Sequence, residues 1–128
     1  MSALVTGFHH IALYCKDVER SLALYRALGF ADKKSWGEGD SRAFMLETGG
    51  SCVELFAGGK DVPDGKWVHL ALKTPDCDAA YSAALAAGAA VKIEPKDVDI
   101  PAHSGPYPVR IAFVTGPDGE IIELFQER

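Results

Sequence analysis

Residues 7–30, GFHHIALYCKDVERSLALYRALGF, return in altered form at 66–89, KWVHLALKTPDCDAAYSAALAAGA. Aligned without a gap, His10 meets His69, Ala12 meets Ala71, Leu13 meets Leu72, Asp17 meets Asp76 and Gly29 meets Gly88. The far ends agree as well: Val53-Glu54-Leu55-Phe56 closes the first copy and Ile122-Glu123-Leu124-Phe125 the second. A chain written twice on one plan folds as two like modules, which narrows the choice of architecture more than composition does.

Each half therefore opens on a histidine and closes on a glutamate. Brought around one point by pseudo-twofold packing, His10, Glu54, His69 and Glu123 would offer two imidazoles and two carboxylates, a set suited to a divalent transition metal. The histidines are 59 residues apart and the glutamates 69, so the second half carries ten extra residues. The surplus falls in Glu94–Pro108, where prolines at 95, 101, 106 and 108 predict an irregular loop. His103 and Tyr107 lie in that stretch, which is a candidate lid or an ordinary surface loop.

Local patterns give each half the order βαβββ. In the first, Phe8–Tyr14 fits a strand and Asp17 caps a helix with Val18, Leu22, Tyr25 and Leu28 on one face, stopped at Gly29. Strands follow around Ala31–Trp36, Arg42–Glu47 and Cys52–Phe56, punctuated by glycines 37 and 39 and by Gly49-Gly50. In the second, Val68–Lys73 is a strand, Asp76 caps an alanine-rich helix that ends at Gly88, and a strand lies near Ala90–Ile93. Val109–Val114 and Glu120–Phe125 then form a hairpin through Gly116-Pro117-Asp118-Gly119. Two such modules predict an α+β fold, a curved eight-stranded sheet forming a cup or half-barrel with helices outside. The four candidate ligands point into the cup where register permits. Trp36, Arg42, Phe44, Arg110 and Phe113 are candidates for its lining.

At 128 residues the chain is expected to form a single domain, with repeat one at about 7–58 and repeat two at about 66–128. Lys and Arg total 13 against 18 Asp and Glu, and the basic residues form no run that could follow phosphates, so nucleic acid is not an expected partner. No apolar run approaches the ~20 residues of a membrane span and no signal segment opens the chain, so a cytoplasmic location is the expectation. Cys15, Cys52 and Cys77 are odd in number and lack CxxC spacing, and read as small buried hydrophobes. Cys52 precedes Glu54 by two and shares its strand face.

The motifs HHIALYCKDVERSLALYRALGF, CVELF, WVHLAL and FVTGPDGEIIELF resemble those of the vicinal oxygen chelate superfamily. Its fold, also called the glyoxalase/bleomycin-resistance/dioxygenase fold, is shared by glyoxalase I, methylmalonyl-CoA epimerase, extradiol dioxygenases, fosfomycin-resistance enzymes and bleomycin-resistance proteins. The resemblance spans essentially the whole chain and puts the family's metal positions on His10, Glu54, His69 and Glu123, with His9 facing the other way. Glu54 discriminates among members. Extradiol dioxygenases and fosfomycin-resistance enzymes rely on two histidines and one carboxylate, and the epimerases generally place glutamine at that position, so the complete set is most similar to glyoxalase I. Where glyoxalase I usually carries an arginine near Tyr14 and an asparagine after the middle motif, this chain has Tyr14 itself and Ala57-Gly58.

The resemblance implies a divalent-metal-dependent lyase or isomerase. It would move a proton between neighbouring carbons of an α-hydroxycarbonyl or hemithioacetal through a metal-bound enediolate, with Glu54 and Glu123 as the proton-transferring groups. One ion per site is implied, Ni²⁺ or Zn²⁺ first and Co²⁺, Mn²⁺ or Fe²⁺ also compatible. A small-molecule substrate and a homodimer are the expected partners. Two alternatives stand beside this reading: an Fe²⁺ or Mn²⁺ ring-cleaving dioxygenase or thiol transferase built on His10, His69 and Glu123, and a metal-free small-molecule-binding resistance protein.

Overall fold

The computed structural model describes residues 3–27, 29–62, 67–116, 119 and 121–128. Its elements are β1 (Gly7–Tyr14), α1 (Val18–Ala27), β2 (Ala31–Trp36), β3 (Ala43–Thr48), β4 (Ser51–Phe56), β5 (Trp67–Lys73), α2 (Cys77–Ala86), β6 (Ala90–Ala102), β7 (Gly105–Thr115) and β8 (Ile121–Glu127). The order βαβββ thus occurs twice, as the duplication predicts. The chain divides into two compact units. One is His10–Val68 with Pro101–Pro106; the other is Met1–His9, His69–Ile100 and Tyr107–Arg128. No described helix is long and apolar enough to cross a membrane.

In the unit containing His10–Val68 the strands run β2-β3-β4-β1. β3 is antiparallel to both β2 and β4, whereas β4 lies parallel to β1. Helix α1 starts where expected, the amide of Arg20 donating to Asp17 Oδ1 at 3.3 Å. Gly29, at φ +104°, ends it in a conformation that side chains resist. Val18 and Leu22, one turn apart, face the sheet with Tyr25, and they meet Leu13, Phe44, Leu46, Val53 and Leu55. Leu28, expected on the same face, lies outside the described residues.

In the other unit the order is β5-β8-β7-β6, with β5 parallel to β8 and β7 antiparallel to it. The start of β1 joins this unit, and just before it the amide of Thr6 donates to the carbonyl of Lys73 at 2.9 Å. Asp76 caps α2 through the amide of Ala79 at 3.1 Å. Cys77 and Ala80 pack on Ala112 and Leu124, with Leu72, Tyr81 and Ile122 around them. Past that contact, alanines 83, 84 and 87 are too short to fill the space above Val114 and Ile122, and an apolar cavity of about 420 Å³ remains.

The proline-rich stretch departs from expectation. Glu94–Pro108 is not an irregular loop but the greater part of a β-hairpin in which only His103 and Ser104 turn. Pro95 and Pro101 sit on β6, the last strand of the order, where an outward-facing residue needs no N–H donor. In β7 the carbonyl of Pro108 accepts from the amide of Arg128, so the missing N–H of Pro108 faces the end of β8. The β7–β8 ladder begins only at Val109 opposite Glu127. Pro106 is two residues farther out, so neither proline removes a rung. Of the expected Gly116–Gly119 turn, Pro117 and Asp118 lie outside the described residues.

Two outcomes follow from this packing. Leu22 is 2% exposed and Leu24, on the same helix, 56%. Leu22→Ala should cost about 3 kcal/mol in urea unfolding and Leu24→Ala no more than about 0.5 kcal/mol. All three cysteines are free and buried. Burial, and secondarily Asp78, pushes the Cys77 thiol up from 9.0 to about 11. The folded chain then keeps a proton that the unfolded chain has lost, so stability should fall as pH rises from 9 towards 11. Between pH 8 and 10.5 the wild type should lose about 2 kcal/mol more than Cys77→Ala, measured by urea unfolding at both pH values.

Candidate functional site

The parallel ladders place the expected ligands in the same way in both units. Ala12 pairs with Glu54 across β1 and β4, and Ala71 pairs with Glu123 across β5 and β8. In each case the histidine stands two residues before the alanine, on the same strand face, and is a diagonal neighbour of the glutamate. Alanine at the rung leaves that diagonal open. His10 Nε2 lies 3.3 Å from Glu54 Oε1, and His69 Nε2 lies 3.1 Å from Glu123 Oε1. His10 is 1% exposed, both glutamates 5% and the His69 side chain 10%, so both carboxylates are buried and neither pair is a rim contact.

The helices settle which strand face is which. Leu13, Phe44, Val53 and Leu55 pack on α1. By alternation His10, Ala12, Tyr14, Cys52, Glu54, Phe56, Ala43 and Met45 occupy the opposite face. Likewise Ala112 and Leu124 pack on α2, which leaves His69, Ala71, Glu123 and Phe113 on the face away from it. Cys52 is buried beside the first pair, opposite His10 in the ladder.

Of the five candidates for lining, Trp36 and Phe113 share the faces that carry the ligands. Trp36 pairs with Ala43. Phe113 pairs with Glu123, and its ring meets that of His69 edge-on at 5.7 Å between centroids. The other three are corrected by the structure. Phe44 belongs to the core under α1. Arg42 turns to Glu19 of α1 at 3.0 Å. Arg110 holds Asp78 of α2 at 2.9 Å and Asp97 of β6 at 3.1 Å, and these bonds raise its already high pKa further. A charge on the helix-covered side finds counter-charges there, which fixes the parity of both arginines.

A further histidine, His9, is buried and has no assigned role in the sequence reading. His9 stacks on Phe125 with ring centroids 4.1 Å apart, and its Nε2 lies 3.2 Å from Glu127 Oε1. Tyr107 donates its hydroxyl to Glu127 Oε2 at 2.5 Å. The period-two series Glu123, Phe125, Glu127 was legible, but its reach to His9 depends on how the start of β1 joins the second unit. Tyr107, expected in a loop, lies on β7.

A profile of the Glyoxalase/Bleomycin resistance protein/Dioxygenase superfamily matches residues 7–124, and the chain belongs to that superfamily. No protein of curated function matches it by sequence. Among solved structures it is similar to methylmalonyl-CoA epimerase from Mycobacterium tuberculosis, with a TM-score of 0.74 at 21% identity, covering 100% of this chain and 92% of that one. A selenomethionine methylmalonyl-CoA epimerase gives a TM-score of 0.73 at 20% identity, covering 100% and 99%. The Mn(II)-bound glyoxalase from Novosphingobium aromaticivorans gives 0.70 at 19%, covering 95% of this chain and 39% of the other. At these identities the likeness concerns the fold, which is the glyoxalase/bleomycin-resistance/dioxygenase fold of two βαβββ repeats and an eight-stranded sheet.

The hydrogen bond from Tyr107 to a carboxylate should be measurable. Tyr107→Phe is expected to lower stability by about 1.5 kcal/mol with unchanged far-UV circular dichroism, read by urea unfolding.

Proposed function

We propose that this chain is a divalent-metal-dependent lyase or isomerase of the glyoxalase I type, with His10, Glu54, His69 and Glu123 as ligands of one ion. The observation that carries the reading is the repetition, in both units, of a buried carboxylate paired with an imidazole in the same ladder register. Burying a carboxylate is costly unless it is paired or holds a cation. Selection for folding alone has no reason to incur that cost twice at equivalent positions. The donor set fits the group: two imidazole nitrogens and two carboxylate oxygens balance a 2+ charge and match the ligand preference of Ni²⁺, Zn²⁺ and their neighbours.

A bound ion of this kind polarises a substrate oxygen and makes the adjacent C–H more acidic. The chain supplies the rest. His10 and His69 act as fixed ligands through Nε2, the atoms that face the glutamates. Glu54 and Glu123 carry the proton between neighbouring carbons of an α-hydroxycarbonyl or hemithioacetal, one removing and the other returning it. Their burial limits competition from bulk water. Tyr14 and Phe56, with ring centroids 5.6 Å apart, lie two residues farther along the strands from Ala12 and Glu54 on the same face. That aromatic surface stands where glyoxalase I usually has an arginine, and suits an apolar part of the substrate. We assign the chain a single functional domain and a homodimeric assembly by the same resemblance.

The test is protein stripped of metal and reloaded with Ni²⁺ or Zn²⁺, uptake being verified, then assayed for conversion of the methylglyoxal–glutathione hemithioacetal to lactoylglutathione. One ion per site is expected. His10→Ala and Glu123→Gln should each weaken metal binding by roughly 100-fold and remove metal-dependent turnover. Full activity of the stripped protein would sink the reading. If Glu54→Ala keeps metal and turnover, the ligand set contracts to His10, His69 and Glu123.

A further inference from the structure

The apolar cavity of about 420 Å³ between α2 and its sheet lies wholly within the unit that contains Tyr107–Arg128. Ala80, Ala84 and Ala87 line it from the side of α2, and Leu72 of β5 with Ile122 and Leu124 of β8 from the side of the sheet. Leu124 packs beneath α2 and Glu123 lies on the opposite face, so the cavity is separate from the His69–Glu123 pair. Leu4 and Val5, ahead of β1, stand at its open side and are 44% and 36% exposed. The hydroxyl of Thr74 donates to the carbonyl of Leu4 at 2.6 Å and fixes that segment in place. None of the described lining residues has an ionisable or hydrogen-bonding side chain.

The first repeat shows what fits such a space. In the ungapped alignment of the repeats α1 coincides with α2, Tyr25 meets Ala84 and Phe30 meets Ala89, and both of these alanines line the cavity. The backbone is the same at the two places. The amide of Phe30 donates to the carbonyl of Tyr25 at 3.0 Å and the amide of Ala89 to that of Ala84 at 3.0 Å, while Gly29 and Gly88 take φ of +104° and +106°. In the first repeat the rings of Tyr25 and Phe30 meet edge-on at 5.4 Å between centroids and pack on the core that holds Val18, Leu22, Leu46 and Leu55. The sheet recedes in the second repeat as well, since Leu46 opposite Val53 is matched by Val114 opposite Ile122. Tyr81 stands where the first repeat has Leu22, but it packs beside Cys77, Ala80, Ala112 and Leu124, and its bulk does not close the space. Two rings are thus missing, and the room they would take is open. Water fills it poorly, because an ordered water needs several polar partners, whereas an apolar cavity of roughly 150 Å³ already holds benzene.

We propose that this cavity binds a neutral aromatic molecule of two fused rings, of the class of naphthalene, seated against α2 where the first repeat places Tyr25 and Phe30. Its rings lie on Leu72, Val114 and Ile122 and reach Ala84 and Ala89, so apolar surface of ligand and walls leaves water together. A charged group on the ligand finds no partner among these walls and is excluded. The second ring buries about 60 Å² more apolar surface than a single ring would, which adds roughly tenfold in affinity.

Naphthalene titrated into the full chain and followed by ¹H–¹⁵N NMR tests this. Saturable shifts at Ala83, Ala84, Gly88, Ala89 and Gly116 are expected, with a dissociation constant on the order of 0.1 mM. Benzene should bind about tenfold more weakly, and 2-naphthoate, which brings a carboxylate, more weakly by at least about tenfold. Ala84→Tyr combined with Ala89→Phe restores the first repeat's rings and should abolish binding while raising the urea midpoint. Ala84→Leu adds a smaller group at a half-buried position, keeps the native spectrum and should weaken binding several-fold. Shifts that do not saturate, or an affinity unchanged in Ala84→Leu, would overturn the proposal. Equal affinity for benzene or for 2-naphthoate would do the same, because neither the size of the cavity nor its apolar walls would then select the ligand.

Discussion

The meeting of an imidazole with a buried carboxylate, made once in each unit, is the contact around which the rest of the chain is organised. A carboxylate removed from water loses hydration that only a partner at hydrogen-bonding distance or a cation can replace. That requirement fixes register: Glu54 must stand opposite Ala12, and Glu123 opposite Ala71, for each histidine to reach its glutamate across the diagonal. A slip of one residue would send both glutamates to the helix-covered faces, among Leu46, Leu55, Ala112 and Leu124. The parallel pairing of first and last strand in each repeat follows, because it brings the opening histidine beside the closing glutamate.

The duplication made the two modules and the four candidate ligands legible in the sequence, while the parallel pairing and the register that join each histidine to its glutamate were not. Strands with one face on a helix alternate, and shared positions in two copies identify elements that a single copy leaves ambiguous. Asp17 and Asp76 as helix caps were readable for a local reason, since the oxygen that accepts the amide three residues on belongs to the capping residue itself. Parity of the lining residues was not readable in that way. Phe44 and Arg110 are distinguishable from Trp36 and Phe113 only through what lies on the other side of the sheet, Leu22 and Tyr25 for the phenylalanine and Asp78 for the arginine.

The proline-rich stretch shows the limit from the other direction. Four prolines in fifteen residues argue against a strand when each is assumed to owe a hydrogen bond to a neighbour. Pro95 and Pro101 stand on the last strand of the order, and Pro106 and Pro108 precede the β7–β8 ladder that begins at Val109, so the latter two interrupt none of its rungs. Whether a backbone amide has a partner to lose is a property of the neighbouring strand, which local sequence does not contain. His9 escaped for a related reason: its contacts, Phe125 and Glu127, are 116 and 118 residues away in the chain and come from β8.

The two repeats diverge most where the metal reading makes no demand. Helix α1 sets Val18, Leu22 and Tyr25 against its sheet, while α2 offers mainly alanine and leaves a cavity of about 420 Å³. The β6–β7 hairpin carries the second repeat's surplus length, and its turn fastens to β2 through His103. On the opposite faces the histidine, the alanine two residues on and the glutamate across the ladder are the same in both copies. If packing alone governed those faces, they would have been as free to drift as the helices that cover the other side. Histidine, alanine and glutamate at equivalent places in each repeat, with Phe56 and Phe125 beside the glutamates on the same face, are what the proposed ion would impose.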